Sequence, residues 1–195
     1  EWPQREHGIL VDAKGFVWLG GNSCPTNGLP GLEPVADDQL LKFTQDGEFV
    51  MQIGRSNRSG GNADTVNLHR PADAQFYPQT NELFVADGYG NSSVHRFSAS
   101  GDYITSFGNP GRGPGEFLVP HSVRVSVDGR IYVADRENDR VQVFGPEGEF
   151  IEEWTDFTHP MAVHIDADGI VYVTDQVPRI SILTLDGLLL GRGRT

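Results

Sequence analysis

A sequence repeat of about forty residues occurs four times along this chain. Each copy consists of a strand-like run, a turn and a second strand that contains an aromatic residue. The aromatic residues that align the four copies are Trp18, Phe84, Tyr132 and Tyr172. The earlier copies are separated by longer insertions than the later ones. A repeat of this length built from short strands is typical of the blades of a β-propeller.

Alternation within the copies supports an all-β fold. In the third copy, alternate residues are apolar on both sides of Asp128-Gly129, a dipeptide that favours a tight hairpin turn. Each copy then continues into a second hairpin, whose turn contains Gly47, Gly101, Gly148 or Gly187. We therefore predict an all-β chain with four visible blades of four antiparallel strands each. The blades cover approximately residues 1–65, 66–116, 117–157 and 158–195.

Ring closure constrains the number of blades. Propellers close a ring of four to eight blades, which limits the number of exposed strand edges. The sequence has no strand that would latch a four-bladed ring, so we expect residues 1–195 to be one partial domain of a six-bladed propeller. A self-sufficient four-bladed ring is the alternative. The open edges of an incomplete ring could recruit a second chain.

Charge and composition exclude several partners. The chain has 27 acidic and 15 basic residues, and its formal net charge of −12 would repel a nucleic-acid backbone or an anionic membrane. No apolar run is long enough to span a bilayer, and no basic-then-apolar leader is present. Cys24 is the only cysteine, which rules out an internal disulfide and a cysteine-based metal site.

The chain resembles NHL-repeat propellers in its repeated aliphatic-Tyr-Val-Ala-Asp pattern. It resembles more specifically the peptidyl-α-hydroxyglycine α-amidating lyases and their bacterial relatives, in the segments DGYGN, VPHS and ADREN. The resemblance covers most of the chain from His7 onward. It implies a zinc ion held on the propeller axis by three histidines, with a tyrosine and an arginine that act on the substrate. A structural calcium ion is also compatible with it. It favours a secreted or periplasmic location, and the compartment itself stays open.

Two histidines occupy matching positions in alternate copies. The residue that begins each inner strand is His7, Ala72, His121 or Met161. Equivalent positions in different blades converge on the axis, and the resemblance to the lyases therefore implies that His7 and His121 are metal ligands. The third ligand would fall in a fifth blade beyond Thr195. The alternatives are an exposed His7 and a His121 that bonds a neighbouring loop.

Tyr89 and Arg136 lie in corresponding loops, after the Ala-Asp that ends the second strand of a blade. By resemblance, Tyr89 is the candidate general base and Arg136 the candidate partner of a substrate carboxylate. The alternatives are a packed turn aromatic for Tyr89 and, for Arg136, a surface salt bridge to Glu137 or Asp139.

Other polar residues are assigned to structure. The repeated Asp87 and Asp135 are expected to cap the following turn through backbone amides, and the same turns include Asn91, Asn138 and Arg140. The remaining histidines are interpreted as structural or surface groups; they are His69, His95, His159 and His164.

Departures from the lyase pattern are also visible. Gly90 stands where animal lyases have a cysteine. A further arginine that contacts substrate in the lyases comes from a blade upstream of the first histidine, where this sequence gives only residues 1–6. The long loops 23–38 and 55–67 are either binding loops or solvated connections.

Three functions follow as hypotheses. The first is a zinc-dependent lyase that cleaves the C–N bond of a peptidyl-α-hydroxyglycine-type small molecule or peptide. The second is a non-catalytic NHL propeller that binds a peptide or protein. The third, a gluconolactonase-type hydrolase, requires acidic residues at the positions held by His7, Ala72, His121 and Met161, and these residues argue against it.

Overall fold

The computed structural model describes residues 5–23 and 36–194, which form four four-stranded antiparallel sheets and one short parallel strand pair. The first sheet contains β1 (Glu6–Val11), β2 (Val17–Gly21), β3 (Gln39–Phe43) and β4 (Phe49–Gly54). The second contains β5 (Asp73–Tyr77), β6 (Glu82–Asp87), β7 (Ser93–Phe97) and β8 (Tyr103–Phe107). The predicted propeller fold of four visible blades is confirmed.

The two remaining blades repeat this plan. The third sheet contains β11 (Pro120–Val125), β12 (Ile131–Asp135), β13 (Arg140–Phe144) and β14 (Phe150–Trp154). The fourth contains β15 (Pro160–Ile165), β16 (Val171–Asp175), β17 (Arg179–Leu183) and β18 (Leu189–Arg194). In every sheet, strands adjacent in sequence are adjacent in space, so each blade is a meander of three hairpins.

A glycine-rich connection leads from the second blade to the third. Its short strands β9 (Asn109–Pro110) and β10 (Glu116–Phe117) pair in parallel. The Phe117 side chain is fully buried between these blades. The connection therefore also supplies part of the core.

The core lies between the blades, where the apolar faces of neighbouring sheets meet. One cluster joins the first two blades around Trp18 and Leu83, and a second joins the middle two around Phe84 and Val133. A third joins the last two around Tyr132 and Val173. The inner strands β1, β5, β11 and β15 contact one another in that order. The sheets are consequently fixed with their inner strands side by side.

One cysteine and one long loop of the sequence analysis lie wholly or mostly among residues that the structure does not describe. Cys24 and most of the loop 23–38 lie outside the described residues, so their predicted roles stay predictions. Within the described ranges, no helix is long and apolar enough to cross a bilayer.

Candidate functional site

Three of the four inner strands carry a β-bulge at the same place. Pairing with the second strand of the blade skips a single residue in each case, and the skipped residues are His7, His121 and Met161. A bulged residue has no partner across the ladder, and the bulge redirects its side chain. The bulges explain how the second residues of different inner strands, His7 and His121, can point toward one place.

Each of the two imidazoles is held by a backbone carbonyl of the next blade. Nδ1 of His7 lies 2.8 Å from the carbonyl oxygen of Ala72, and Nδ1 of His121 lies 2.7 Å from that of Met161. Because a carbonyl oxygen only accepts hydrogen bonds, Nδ1 carries the proton in both rings. Each Nε2 is therefore left with a lone pair, as a metal-ligating histidine requires.

The Tyr89 hydroxyl joins the two rings. Its oxygen lies 2.9 Å from Nε2 of His7 and 2.9 Å from Nε2 of His121. The centroids of the two imidazoles are 5.3 Å apart, with the ring planes at 85°. We call His7, Tyr89 and His121 the two-histidine site. The structure thus brings together three side chains that the sequence analysis singled out separately.

Hydrogen bonding alone does not satisfy this site. A phenol has one proton and can donate it to one of the two Nε2 atoms. The other Nε2 then faces an oxygen lone pair at the same distance. The Nε2 atoms of His7 and His121 direct two lone pairs toward one place, as two ligands of a shared Lewis acid would, so these residues are compatible with the zinc ion that the resemblance implies.

His121 is suited to ligation in its neutral form. It is almost fully buried, and burial lowers its pKa below the ordinary value of 6.5. The bond to Met161 opposes this shift, whereas the positive charge of Arg136 adds to it. The imidazole is therefore neutral at neutral pH.

Arg136 lies beside the two-histidine site. Its guanidinium carbon is 5.5 Å from the centroid of the Tyr89 ring, a cation–π distance. Its Nε donates a 2.9 Å hydrogen bond to Glu137. Arg136 thus makes the salt bridge to Glu137 that was its alternative, and its role toward a substrate carboxylate stays a prediction.

Two glycines allow the Tyr89 loop to pack against its neighbours. A Cβ atom on Gly88 would lie 1.9 Å from the carbonyl oxygen of Pro120, the residue before His121. A Cβ atom on Gly90 would lie 2.2 Å from the ring of His69. Backbone contact this close requires glycine. Gly90, which departs from the animal lyase pattern, therefore has a packing role in this chain.

Further hydrogen bonds hold the same loop. Arg70 donates from Nη2 to the Tyr89 carbonyl at 2.6 Å, and its backbone carbonyl accepts the Tyr89 amide at 3.3 Å. Asn62, from the insertion 55–67, accepts the backbone amide of Ser92 at 2.8 Å. This insertion thus supports the loop that carries Tyr89, a role that its composition did not indicate.

Asp87 and Asp135 accept backbone amides, although different ones from those expected. The carboxylate of Asp87 accepts the amide of His69 at 2.9 Å, and that of Asp135 accepts the amide of Leu118 at 3.0 Å. Both amides lie just before the inner strand of the blade. The prediction was that each aspartate would accept amides of the turn that follows it, so this detail of the prediction is corrected. The two aspartates close their blades by binding the segment before the first strand to the end of the second.

The other histidines have their contacts outside the two-histidine site, and His69 packs against Gly90 in the Tyr89 loop. His95 is buried beside Ser93, and His164 is exposed, with its ring near Tyr172. His159 contacts Asp139 and Glu137. Among the described residues, no group of three or more His, Cys, Asp or Glu side chains has an arrangement that could hold a metal ion.

A polar connection behind His121 was missed by the sequence analysis. Ser122 donates a 2.8 Å hydrogen bond to Asp73 and accepts the amide of Val163 at 3.2 Å. It thereby links the second, third and fourth blades immediately next to a candidate ligand. The side chains at 73 and 122 vary from one copy of the repeat to another, so the repeat pattern carried no signal for them.

Comparison with known proteins gives a family. Residues 66–181 match a family model described as a 6-bladed beta-propeller. The solved structure of a protein of unknown function from Bacteroides caccae superposes with a TM-score of 0.68 at 12% identity, covering 97% of this chain and 61% of that one. This likeness concerns the fold alone.

Three curated relatives are similar in sequence. The chain is 34% identical over 156 residues to the peptidyl-glycine alpha-amidating monooxygenase of Mus musculus, covering 75% of this chain and 14% of that protein. It is 32% identical over 142 residues to a probable peptidyl-alpha-hydroxyglycine alpha-amidating lyase of Caenorhabditis elegans, covering 71% and 36%. It is 32% identical over 152 residues to NHL repeat-containing protein 3 of Mus musculus, covering 74% and 44%. The chain spans less than half the length of each relative, and the resemblance to lyase and NHL-repeat propellers is confirmed.

Proposed function

Because this chain belongs to the 6-bladed beta-propeller family, we propose that its two-histidine site serves a lyase that cleaves peptidyl-α-hydroxyglycine-type substrates. One observation carries the proposal: the Tyr89 hydroxyl lies 2.9 Å from Nε2 of both His7 and His121. The similarity to a probable peptidyl-alpha-hydroxyglycine alpha-amidating lyase supports the same reaction.

His7 and His121 would hold the metal through Nε2, since both Nδ1 atoms are engaged by carbonyls. A catalytic zinc site has three protein ligands, so the described residues supply two of them. Zinc bound there would act as a Lewis acid that lowers the pKa of a substrate hydroxyl.

Tyr89 would accept the proton of that hydroxyl as general base. As the carbon–oxygen double bond forms, the bond between that carbon and the amide nitrogen breaks, and the proton passes to the nitrogen. The products are an amide and the α-keto acid glyoxylate, with no other reactant consumed. Arg136, beside the Tyr89 ring, would bind the substrate carboxylate through its guanidinium.

The test is metal content and turnover of the intact protein. We expect stoichiometric zinc and release of glyoxylate from N-benzoyl-α-hydroxyglycine. His121→Ala should lose the zinc and the activity, and Tyr89→Phe should keep the zinc while its kcat falls about a hundredfold. His164→Ala is the matched control, because this histidine is exposed and lies apart from the site. Full activity in His121→Ala would contradict the proposal.

A second candidate is a non-catalytic propeller that binds a peptide or protein. It is favoured by similarity to NHL repeat-containing protein 3, which is 32% identical over 152 residues, compared with 32% over 142 residues for the lyase relative. This candidate predicts a protein without stoichiometric metal whose peptide binding is unaffected by His121→Ala. The same metal analysis therefore separates the two functions.

A further inference from the structure

Among the described contacts, one of the three guanidinium nitrogens of Arg136 makes a hydrogen bond and the other two make none. Its Nε donates to Oε1 of Glu137 at 2.9 Å. Among the described contacts, its terminal nitrogens Nη1 and Nη2 have no hydrogen-bond partner, although the side chain is only 18% exposed. The terminal edge of a guanidinium is one of its two forks for a bidentate carboxylate. The bond to Glu137 therefore leaves that fork open.

Glu137 is itself held in place. Its second oxygen, Oε2, lies 3.4 Å from Nε2 of His159. His159 is fixed in turn by Asp139, whose Oδ1 accepts the His159 backbone amide at 2.7 Å and lies 3.0 Å from Nδ1. A continuous series of polar contacts thus runs from the start of the fourth blade to Arg136 and ends at the Tyr89 ring.

Simple electrostatics does not explain a carboxylate at this position. A negative charge next to Arg136 would repel the anionic end of a substrate and weaken its binding. If Glu137 instead orients Arg136, it strengthens substrate binding. A guanidinium that is already fixed through Nε loses less side-chain entropy when its terminal nitrogens bind a carboxylate.

Resting on the proposed function, we infer that Glu137 is a positioning residue that directs the terminal nitrogens of Arg136 toward the substrate carboxylate. Glu137 touches neither the substrate nor the two-histidine site. His159, which leads into the fourth blade, contacts Glu137 and is itself held by Asp139. Specificity for a substrate with a free carboxylate then depends on this series of contacts.

The direct test is calorimetric binding of glyoxylate to the intact zinc-loaded protein. Glu137→Ala removes both the charge and the hydrogen bond, and we expect the Kd of glyoxylate to rise about fivefold to tenfold. Glu137→Gln keeps an acceptor for Nε and removes the charge, so its Kd should stay within about twofold of wild type. Glu147→Ala is the matched control, because Glu147 makes a similar exposed pair with Arg96 elsewhere.

Kinetics supplies a second readout. In Glu137→Ala, the KM for N-benzoyl-α-hydroxyglycine should rise by a similar factor, while kcat changes by less than about twofold. The methyl ester of the same substrate, which lacks the carboxylate, should be unaffected. Thermal unfolding of each variant, compared with Glu147→Ala, checks that the fold is retained.

The outcomes are distinct. Glyoxylate binding by Glu137→Ala that is unchanged or tighter overturns the positioning role while leaving the lyase proposal intact. An equal loss for the carboxylate substrate and its ester overturns it as well. A wild-type protein that neither binds glyoxylate nor cleaves the substrate overturns the proposed function, and this inference fails with it.

Discussion

The hydroxyl of Ser122 donates a 2.8 Å hydrogen bond to the carboxylate of Asp73, across the boundary between the second and third blades. The same oxygen accepts the backbone amide of Val163 from the fourth blade. Ser122 is 2% exposed, so its hydroxyl is shielded from bulk solvent. Three blades are therefore joined at one atom next to His121.

Replacing Ser122 with alanine should destabilise the protein, because the buried amide of Val163 would lose its acceptor. We expect the free energy of unfolding to fall by about 1–3 kcal/mol. Urea unfolding measures the change. Ser100→Ala is the control, since Ser100 lies in an exposed turn and should change stability by less than about 0.5 kcal/mol. Equal effects of the two substitutions would show that the Ser122 hydroxyl does not connect the blades.

Replacing Gly88 with alanine should displace the Tyr89 loop. The added Cβ would lie 1.9 Å from the Pro120 carbonyl oxygen, and a backbone atom cannot move aside independently. We expect a loss of about 1–3 kcal/mol in the free energy of unfolding. The proposed lyase activity should fall about a hundredfold, because Tyr89 would shift relative to the imidazoles.

Gly191→Ala is the control for this substitution, because a Cβ at Gly191 meets no atom within 4 Å. Denaturant unfolding and glyoxylate release measure the two effects. Wild-type stability in Gly88→Ala would mean that the loop and the His121 strand can separate without cost.

The repeat pattern was sufficient to predict the fold and the neighbourhood of the site. Period-two alternation specifies strands, and the glycine-containing turns fix the hairpins between them. Aligning the copies placed His7 and His121 at equivalent positions, and the two imidazoles do lie side by side. Local sequence can carry this information because each blade forms from contiguous residues.

Contacts between blades could not be predicted in the same way. The bulges at His7 and His121 depend on how two strands pair, and no residue type specifies them. The carbonyls that orient the rings belong to Ala72 and Met161, where side-chain identity is irrelevant to the bond. Asp87 was expected to cap the nearest turn, whereas it binds the amide of His69, a distant residue in the sequence.

Asp64 should make stability depend on pH in the acidic range. Burial alone would raise its pKa, but the amides of Asn67 and Val66 outweigh burial and lower the pKa from 3.8 to about 2. Between these values the unfolded chain binds more protons than the folded one. The stabilisation is therefore complete above pH 3.8 and is lost as the pH falls toward 2.

Asp64→Asn removes this titration and keeps an acceptor for the amides. The difference in unfolding free energy between wild type and variant should shrink by about 1 kcal/mol as the pH falls through this window, after allowance for solvent screening. Urea midpoints at a series of pH values measure it. Asp46→Asn, in an exposed turn, is the control. A pH-independent difference would contradict the assignment.

Asp135, the buried partner of Arg140, should contribute more to stability than Asp186, the exposed partner of Arg130. Its carboxylate is fully buried and receives Nε of Arg140 at 2.9 Å together with the amide of Leu118. Asp135→Ala leaves both donors without this partner and should cost about 3–5 kcal/mol. Asp186→Ala removes the exposed partner of Arg130, 2.8 Å away, and should cost less than about 1 kcal/mol. Chemical unfolding of the two variants decides the matter: similar losses would mean that the buried pair does not close its blade.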